Sequence, residues 1–168
     1  MKKFMKYILI ILGIVLLDQI TKSVLLYLIT GTVPVYGSAW SVVSYPYLMS
    51  HIANWFNIVF TWNPGASFSV LRTLGEGAPW VITIATGLII GLLVYYMFYR
   101  SARNEKLPLA FIIGGALGNF IDRLRFGAVI DFLDWHIGDI HWPAFNIADS
   151  FIVIGVILYI INLIFHKK

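Results

Sequence analysis

Two aspartates in the last third of the chain, Asp131 and Asp149, are the residues whose type and placing most directly suggest chemistry. Each lies beside an apolar segment, and a charged side chain costs roughly 2.5–3.5 kcal/mol at the centre of a membrane helix. Two carboxylates within hydrogen-bonding distance share one proton, because both do not ionise easily. The ionised member then acts as a base on water while the protonated member polarises a carbonyl, which is the chemistry of peptide hydrolysis without a covalent intermediate.

A structural interpretation of the same pair is also open. Asp131 would satisfy the amides of a loop, and Asp149 would stabilise the N-terminus of the helix that follows it. Sequence separation does not decide between the two interpretations, since it does not show whether the carboxylates are close in space.

Other polar residues in apolar surroundings are candidates to support the pair. Asp18 and Lys22 are four residues apart, so they share a helix face, either as an intrahelical ion pair or as an ordering element of the site. Asn146 is three residues before Asp149 and is either on the same helix face or the N-cap of that helix.

Three further candidates have two interpretations each. Asn119 and Arg123 share a helix face, and Arg123 would contact a lipid phosphate or a substrate carbonyl. Alternatively, Arg123 extends to the membrane interface or pairs with Asp122. Asn63 would donate to a substrate backbone, or it is a turn asparagine.

Composition indicates that these residues belong to a membrane protein. Of the 168 residues, 60% are hydrophobic and 12% are charged, about half the charged share of a soluble domain. The basic residues behind the net charge of +4 follow or precede apolar runs, as topology determinants do, so they do not indicate a nucleic-acid partner. The chain has no cysteine, and its histidines lack the spacing of a zinc protease, so we expect neither a metal nor a cofactor.

Four apolar runs of membrane-spanning length predict an all-α membrane core in a single domain, 1–168. The third run is short and contains Gly114 and Gly118, whose spacing is typical of closely packed membrane helices. The segment 126–145 is expected to connect the third and fourth runs, with one amphipathic turn. The predicted spans cover about residues 7–29, 80–99, 107–123 and 146–165.

The region of about residues 30–79 is expected to stay outside the membrane core. It has too many prolines and glycines for one helix, and its tryptophans and tyrosines favour the water–lipid interface. Trp55–Trp62 is predicted to be a strand ending at the turn that starts with Asn63, and Ser67–Leu71 is its expected return strand. These features predict a small extracytoplasmic β-sheet lying on the membrane surface.

Charge distribution predicts that both termini are cytoplasmic, because basic residues gather at the two termini and in the loop 100–106. The polar residues of the spans then lie at one depth, near the outer face. This favours an enzyme over a transporter or proton-coupled channel, whose charged residues would be spread through the membrane. A non-catalytic membrane scaffold is the third interpretation.

Five short motifs follow one another along nearly the whole chain. They are Asp18-Gln-Ile-Thr-Lys22, Asn63-Pro-Gly-Ala-Ser-Phe-Ser69, Gly114-Gly-Ala-Leu-Gly-Asn-Phe-Ile-Asp-Arg123, Val129-Ile-Asp131-Phe and Phe145-Asn-Ile-Ala-Asp149-Ser150. In this order they resemble the signature segments of the lipoprotein signal peptidase (signal peptidase II) family of aspartic intramembrane proteases. One motif alone would be weak, but five in order are specific.

The resemblance implies a multi-pass endopeptidase of the bacterial inner membrane with its active site near the outer face. Such enzymes remove the signal peptide from prolipoproteins just before a cysteine that carries diacylglycerol. The implied partners are that lipidated substrate, membrane lipid and globomycin-type inhibitors, and a monomer is the simplest expectation. The sheet would cradle the substrate.

The resemblance also implies residue roles. Asp131 and Asp149 would be the catalytic aspartates. Ser67 stands where the family usually has a small apolar residue, and residues 35–51 match no part of the pattern. The residues implied to line or support the site are Asp18, Lys22, Asn63, Asn119, Arg123 and Asn146.

Overall fold

The computed structural model describes residues 2–30, 47–65 and 78–165. Within these ranges, four helices long and apolar enough to cross a membrane accompany one antiparallel sheet of four strands. This architecture confirms the predicted combination of a membrane helical core and a small sheet. The elements are α1 (Lys2–Thr30), β1 (Tyr47–Ala53), β2 (Phe56–Asn63), α2 (Ala78–Tyr99), α3 (Lys106–Phe126), β3 (Val129–Ile137), β4 (Ile140–His141) and α4 (Ile147–Phe165).

Helix α1 shows how the apolar runs are arranged. Its exposed side chains include Leu9, Leu12 and Leu16, each more than half exposed, whereas Asp18 and Lys22 are buried. A helix with leucine outside and charge inside is the arrangement expected where the surrounding solvent is lipid. The polar residues of the spans therefore face the interior of the bundle.

Helix α3 is the centre of the bundle, since it packs against α1, α2 and α4. A Cβ atom on Gly114 would lie 3.0 Å from Cβ of Ile14, and one on Gly118 would lie 2.6 Å from the Asp18 carboxylate. A Cβ on Gly115 would collide with the backbone of α4. These glycines let two neighbouring helices approach α3 closely, as the predicted packing face requires.

The sheet has the strand order β1-β2-β3-β4. Residues 126–145 connect α3 and α4, as predicted, but they form the β3–β4 hairpin where only an amphipathic turn was expected. The first residues of β3 are buried on both faces, and Asp131 and Asp134 interrupt the apolar run, so the alternation that identifies a half-buried strand is missing. The expected return strand Ser67–Leu71 lies outside the described residues, and β2 pairs with β1 and β3.

A hydrophobic cluster joins the sheet to the helices. It includes Leu26 of α1, Phe60 of β2 and Ile130 and Phe132 of β3, all nearly or fully buried. Side chains alternate along a strand, so Asp131 faces away from this cluster while its two neighbours anchor β3 within it. The cluster therefore fixes the strand that carries the first carboxylate.

The turn between α3 and β3 is short and well defined. Gly127 adopts a left-handed conformation with φ of 77°, and its N–H donates to the carbonyl of Arg123 over 3.0 Å. A glycine at this position ends a helix without steric strain. The chain therefore enters β3 directly, and the end of α3 stays beside the strand.

Candidate active site

The two aspartates reach one site from different elements, Asp131 from β3 and Asp149 from the first turn of α4. Asn146, just before α4, contacts both. Its side-chain Nδ2 donates to Asp131 Oδ1 over 2.7 Å, and its backbone N–H donates to Asp149 Oδ2 over 3.2 Å. One residue therefore bridges the two carboxylates.

Asn146 and Asp149 also cap helix α4 reciprocally. The backbone N–H of Asp149 donates to Asn146 Oδ1 over 2.9 Å, and the Asp149 carboxylate accepts the Asn146 N–H. This is the geometry of a capping box, in which two side chains satisfy two free helix N–H groups. The capping interpretation of both residues is therefore correct, and the cap holds the Asp149 carboxylate at the site.

Asp131 is held by two side-chain amides and is only 1% exposed. Asn63 Nδ2 donates to its Oδ2 over 2.9 Å, and Asn146 Nδ2 donates to its Oδ1. Asn63 is itself fixed by a turn, since its Oδ1 accepts the Gly65 N–H over 2.8 Å. Among the described residues both donors to Asp131 are side-chain amides rather than loop N–H groups.

The surroundings of Asp131 favour its protonated form. Its pKa is raised to about 7, first by burial and second by the negative charge of Asp149. The hydrogen bonds from Asn63 and Asn146 and the positive charge of Lys22 oppose this rise. A carboxyl group with such a pKa lets the pair hold one proton near neutral pH.

A buried cation lies behind the carboxylates. Lys22 is 2% exposed, and its ammonium group contacts three oxygens: Asp18 Oδ2 at 2.8 Å, Asp122 Oδ2 at 2.9 Å and Asn119 Oδ1 at 3.0 Å. An ammonium group has three N–H donors, so this set satisfies it completely. The burial of the charge is compensated by two carboxylates and one amide oxygen.

Lys22 also determines how Asn119 is oriented. Because the Asn119 Oδ1 accepts from the ammonium group, its Nδ2 points the other way and donates to Asp149 Oδ1 over 2.7 Å. The lysine cannot accept a hydrogen bond, so the reversed amide would place two donors together. By fixing the orientation of the Asn119 amide, Lys22 ensures that the Asn119 Nδ2 donates to Asp149.

Asp18 joins α1 to α4. Its Oδ1 accepts the backbone N–H of Ala148 over 3.0 Å, in the first turn of α4, while its Oδ2 pairs with Lys22. A carboxylate is favoured at a helix N-terminus by the free N–H groups and the helix dipole. Asp18 and Lys22 therefore form the intrahelical ion pair that the sequence suggested, and Asp18 also helps to fix the first turn of α4 at the site.

Sequence reasoning missed the part played by Asp122 and Gln19. Asp122 is fully buried, pairs with Lys22 and accepts the Ile130 N–H over 3.2 Å. Gln19 Nε2 donates to Asp122 Oδ1 over 2.8 Å. The suggested pairing of Asp122 with Arg123 was wrong, since in the described part of the chain its ion pair is with Lys22. The available signal was its spacing of three from Asn119, which places it on the same face of α3.

Arg123 lies beside the carboxylates without a close ion pair in the described ranges. Its Nη1 donates weakly to the Asn119 carbonyl at 3.5 Å, and its Nε is buried with no hydrogen-bond partner among the described residues. Its charge interacts most strongly with that of Asp149, then with Asp122 and Asp131. A guanidinium group in this state has N–H donors available for a further acceptor.

All eight residues selected from the sequence meet in this cluster, although their roles stay predictions. Their arrangement defines a class: a membrane-spanning protein with paired carboxylates suited to acid–base chemistry. Comparison with known families identifies the family within this class. The family described as Signal peptidase (SPase) II matches residues 10–165, so the chain belongs to the signal peptidase II family and is a peptidase. The resemblance seen in the five motifs is confirmed.

Individual relatives agree with this assignment. The lipoprotein signal peptidase of Paraburkholderia phytofirmans is 40% identical over 151 residues, which cover 89% of this chain and 78% of the relative. That of Anaplasma phagocytophilum is 47% identical over 104 residues, covering 62% and 66%. A solved structure described as a bacterial membrane enzyme at 1.9 Å resolution superposes with a TM-score of 0.74 at 33% identity, covering 96% of this chain and 94% of that one.

Proposed function

We propose that the protein is an intramembrane aspartic endopeptidase that removes the signal peptide from diacylglyceryl-modified prolipoproteins, cutting just before the lipidated cysteine. The observation that carries this proposal is the bridge through Asn146, which holds Asp131 and Asp149 around one site. The relatives named lipoprotein signal peptidase supply the substrate class.

The chemistry follows from the shared proton. The ionised carboxylate takes a proton from water, whose oxygen attacks the scissile carbonyl carbon, while the protonated carboxyl donates to the carbonyl oxygen. The tetrahedral intermediate then collapses, the C–N bond breaks, and the nitrogen leaves as an amine after accepting a proton from the pair. The pKa of Asp131, about 7, suits a group that gives and regains a proton near neutral pH.

The surrounding residues act by positioning and by binding. Asn63 and Asn146 hold Asp131, while Asn119, oriented by Lys22, holds Asp149. We assign Arg123 to binding a substrate carbonyl, because its buried Nε lies beside the carboxylates with no acceptor among the described residues. A charge-assisted hydrogen bond from a guanidinium group is one of the stronger ways to fix a carbonyl.

We further propose that the sheet lies on the outer surface of the bacterial inner membrane and that both termini are cytoplasmic. The β3–β4 hairpin exposes Trp135, Ile137, Ile140 and Trp142, each between 54% and 84% exposed. Exposed tryptophan beside aliphatic side chains is typical of segments at the water–lipid interface. The site would then lie where the diacylglyceryl group of a substrate meets the outer leaflet.

The test is cleavage by the purified protein in detergent, followed by gel shift, of one prolipoprotein prepared with and without its diacylglyceryl group. We expect cleavage of the lipidated form only, and inhibition by a globomycin-type peptide. Sequencing the product should place the lipidated cysteine at the new N-terminus. Equal cleavage of the two forms would contradict the proposed recognition of the lipid.

A further inference from the structure

A cavity of about 440 Å³ lies between the beginning of α1 and the beginning of α3. The described residues that line it are two aromatic and three basic side chains, with no acidic residue among them. This combination differs from the polar cluster around the aspartates. The lining residues are Phe4, Lys6, Tyr7, Arg103 and Lys106.

This cavity is far from the candidate active site. Lys6 and Lys22 lie on the same helix and are separated by about 24 Å at a rise of about 1.5 Å per residue. Lys106 begins α3, whose opposite end carries Arg123. The cavity therefore lies at the other end of the bundle, by the opposite membrane face.

The basic residues of the cavity contact neutral groups. Lys6 lies 4.6 Å from the ring centroid of Tyr7, and Lys106 lies 4.9 Å from that of Phe4. Lys106 also donates to the Met97 carbonyl and to Ser101. None of these partners carries a negative charge.

The acid that precedes Lys106 in the sequence, Glu105, is directed elsewhere. Glu105 Oε2 accepts the backbone N–H of Ala102 over 2.8 Å and the Tyr96 hydroxyl over 3.3 Å. Among the described residues, neither Lys6, Arg103 nor Lys106 has a carboxylate within ion-pair distance. Three positive charges thus face one cavity without a counter-charge in this part of the chain.

We propose that this cavity binds the phosphate group of an anionic membrane phospholipid. Basic pockets between membrane helices on the cytoplasmic side suit anionic lipid head groups. The N-terminus of α3, at Lys106, adds the partial positive charge of a helix end. The rings of Phe4 and Tyr7 provide an apolar wall for the glycerol and upper acyl chain, which a free phosphate ion would not use.

The test measures lipid binding by the full-length protein in detergent, by native mass spectrometry and by the unfolding temperature. The probes are phosphatidylglycerol, phosphatidylcholine and inorganic phosphate. Phosphatidylglycerol should be retained and should raise the unfolding temperature, whereas phosphatidylcholine should do neither. Arg103→Gln and Lys6→Gln should each weaken phosphatidylglycerol binding by about fivefold, and Arg103→Lys should restore most of it.

Arg100→Gln is the matched control, because Arg100 is exposed in the same loop and does not line the cavity. It should bind phosphatidylglycerol as the wild type does. Equal losses in Arg100→Gln and Arg103→Gln, or equal retention of the two lipids, would overturn the proposal. Stabilisation by inorganic phosphate equal to that by phosphatidylglycerol would overturn the lipid assignment and identify a soluble phosphate as the ligand.

Discussion

At the residue scale, two aspartates on the same strand have opposite electrostatics. Burial and the charge of Asp149 raise the pKa of Asp131 to about 7. At Asp134 burial also acts to raise the pKa, but hydrogen bonds from Asn57 and His141 outweigh it, and the pKa is lowered. Burial raises the pKa more at Asp131, and the facing groups also differ: a second carboxylate beside Asp131 and a histidine beside Asp134. Only the first environment favours a proton near neutral pH.

The pH dependence of cleavage follows from that proton. We expect kcat/KM to fall as pH rises through about 7, because the pair then loses the proton that polarises the carbonyl. The Asn63 hydrogen bond stabilises the ionised form of Asp131, so Asn63→Ala should raise this pKa and move the fall to higher pH. The measurement is the pH profile of kcat/KM with a lipidated substrate.

Asn57→Ala is the control for this profile. Asn57 lies on the same strand as Asn63, and its side-chain amide donates to Asp134 over 2.9 Å. This hydrogen bond matches the one from Asn63 to Asp131, but its acceptor is not part of the proposed catalytic pair. Its removal should leave the fall where it is in the wild type. A profile that shifts equally in both variants, or in neither, would contradict the link between Asn63 and the shared proton.

At the element scale, the site depends on how closely α4 approaches α3. Asp149 belongs to the first turn of α4, and Gly115 of α3 leaves room for the backbone at Ala148. Asp18 of α1 fixes the same turn by accepting the Ala148 N–H. Three helices thus determine the position of one carboxylate.

Gly115→Ala should therefore lower both stability and activity. The new Cβ would collide with the Ala148 carbonyl oxygen, so α4 must shift, and we expect a loss of about 1–3 kcal/mol in the free energy of unfolding. Because Asp149 would also be displaced, turnover should fall by more than the smaller folded fraction of the protein accounts for. Both are measured in detergent, by thermal unfolding and by turnover.

Gly91→Ala on α2 is the matched variant, because apart from the backbone of α2 itself no atom of the described residues lies within 4 Å of the Cβ it would add. Replacing an interior helix glycine by alanine should stabilise the protein by about 0.5–1 kcal/mol. Turnover should match that of the wild type. Equal destabilisation by the two substitutions would contradict the close approach of α3 and α4.

Long-range contacts limited what could be predicted from the sequence. The four spans were predictable from apolar runs, although the third run is short, and so were pairs such as Asp18 and Lys22, whose spacing defines a helix face. The strand β3 was not, because Asp131 and Asp134 interrupt its apolar pattern. The pairing of Lys22 with Asp122 depends on how α1 packs against α3, which no local pattern reports.

At the scale of the whole molecule, the two ends of the bundle differ in character. One end has the sheet, the exposed hairpin tryptophans and the buried carboxylates. The other has the loop between α2 and α3 and the basic cavity. Under the proposed topology, which follows the positive-inside rule, the second end is cytoplasmic.

Cysteine labelling tests this orientation, because the chain has no cysteine of its own. Asp139→Cys in the exposed β3–β4 turn should react with a membrane-impermeant maleimide in spheroplasts. Ala102→Cys in the exposed α2–α3 loop should react only after the membrane is opened. The reverse pattern of labelling would contradict the proposed topology.

A test of Asp131 and Asp149 as the acid and base needs variants that cannot catalyse cleavage but still fold. The folded state holds more protons on Asp131 than the unfolded state between the usual pKa of 3.8 and about 7, so this group lowers stability as pH rises through that range. Asp131→Asn removes the buried charge and keeps the shape. One hydrogen bond is lost as well, because the new Nδ2 would face the Nδ2 of Asn63 or of Asn146. A cooperative unfolding transition of the variant at pH 8 is therefore the measurement that shows it is folded.

The most direct measurement is turnover of a lipidated prolipoprotein by Asp131→Asn and Asp149→Asn, with Asp134→Asn as the control from the same strand. We expect each of the first two to lose at least about 100-fold in turnover, while Asp134→Asn retains most of it. If either folded variant kept more than about a tenth of wild-type turnover, the two carboxylates could not be the acid and base of the reaction.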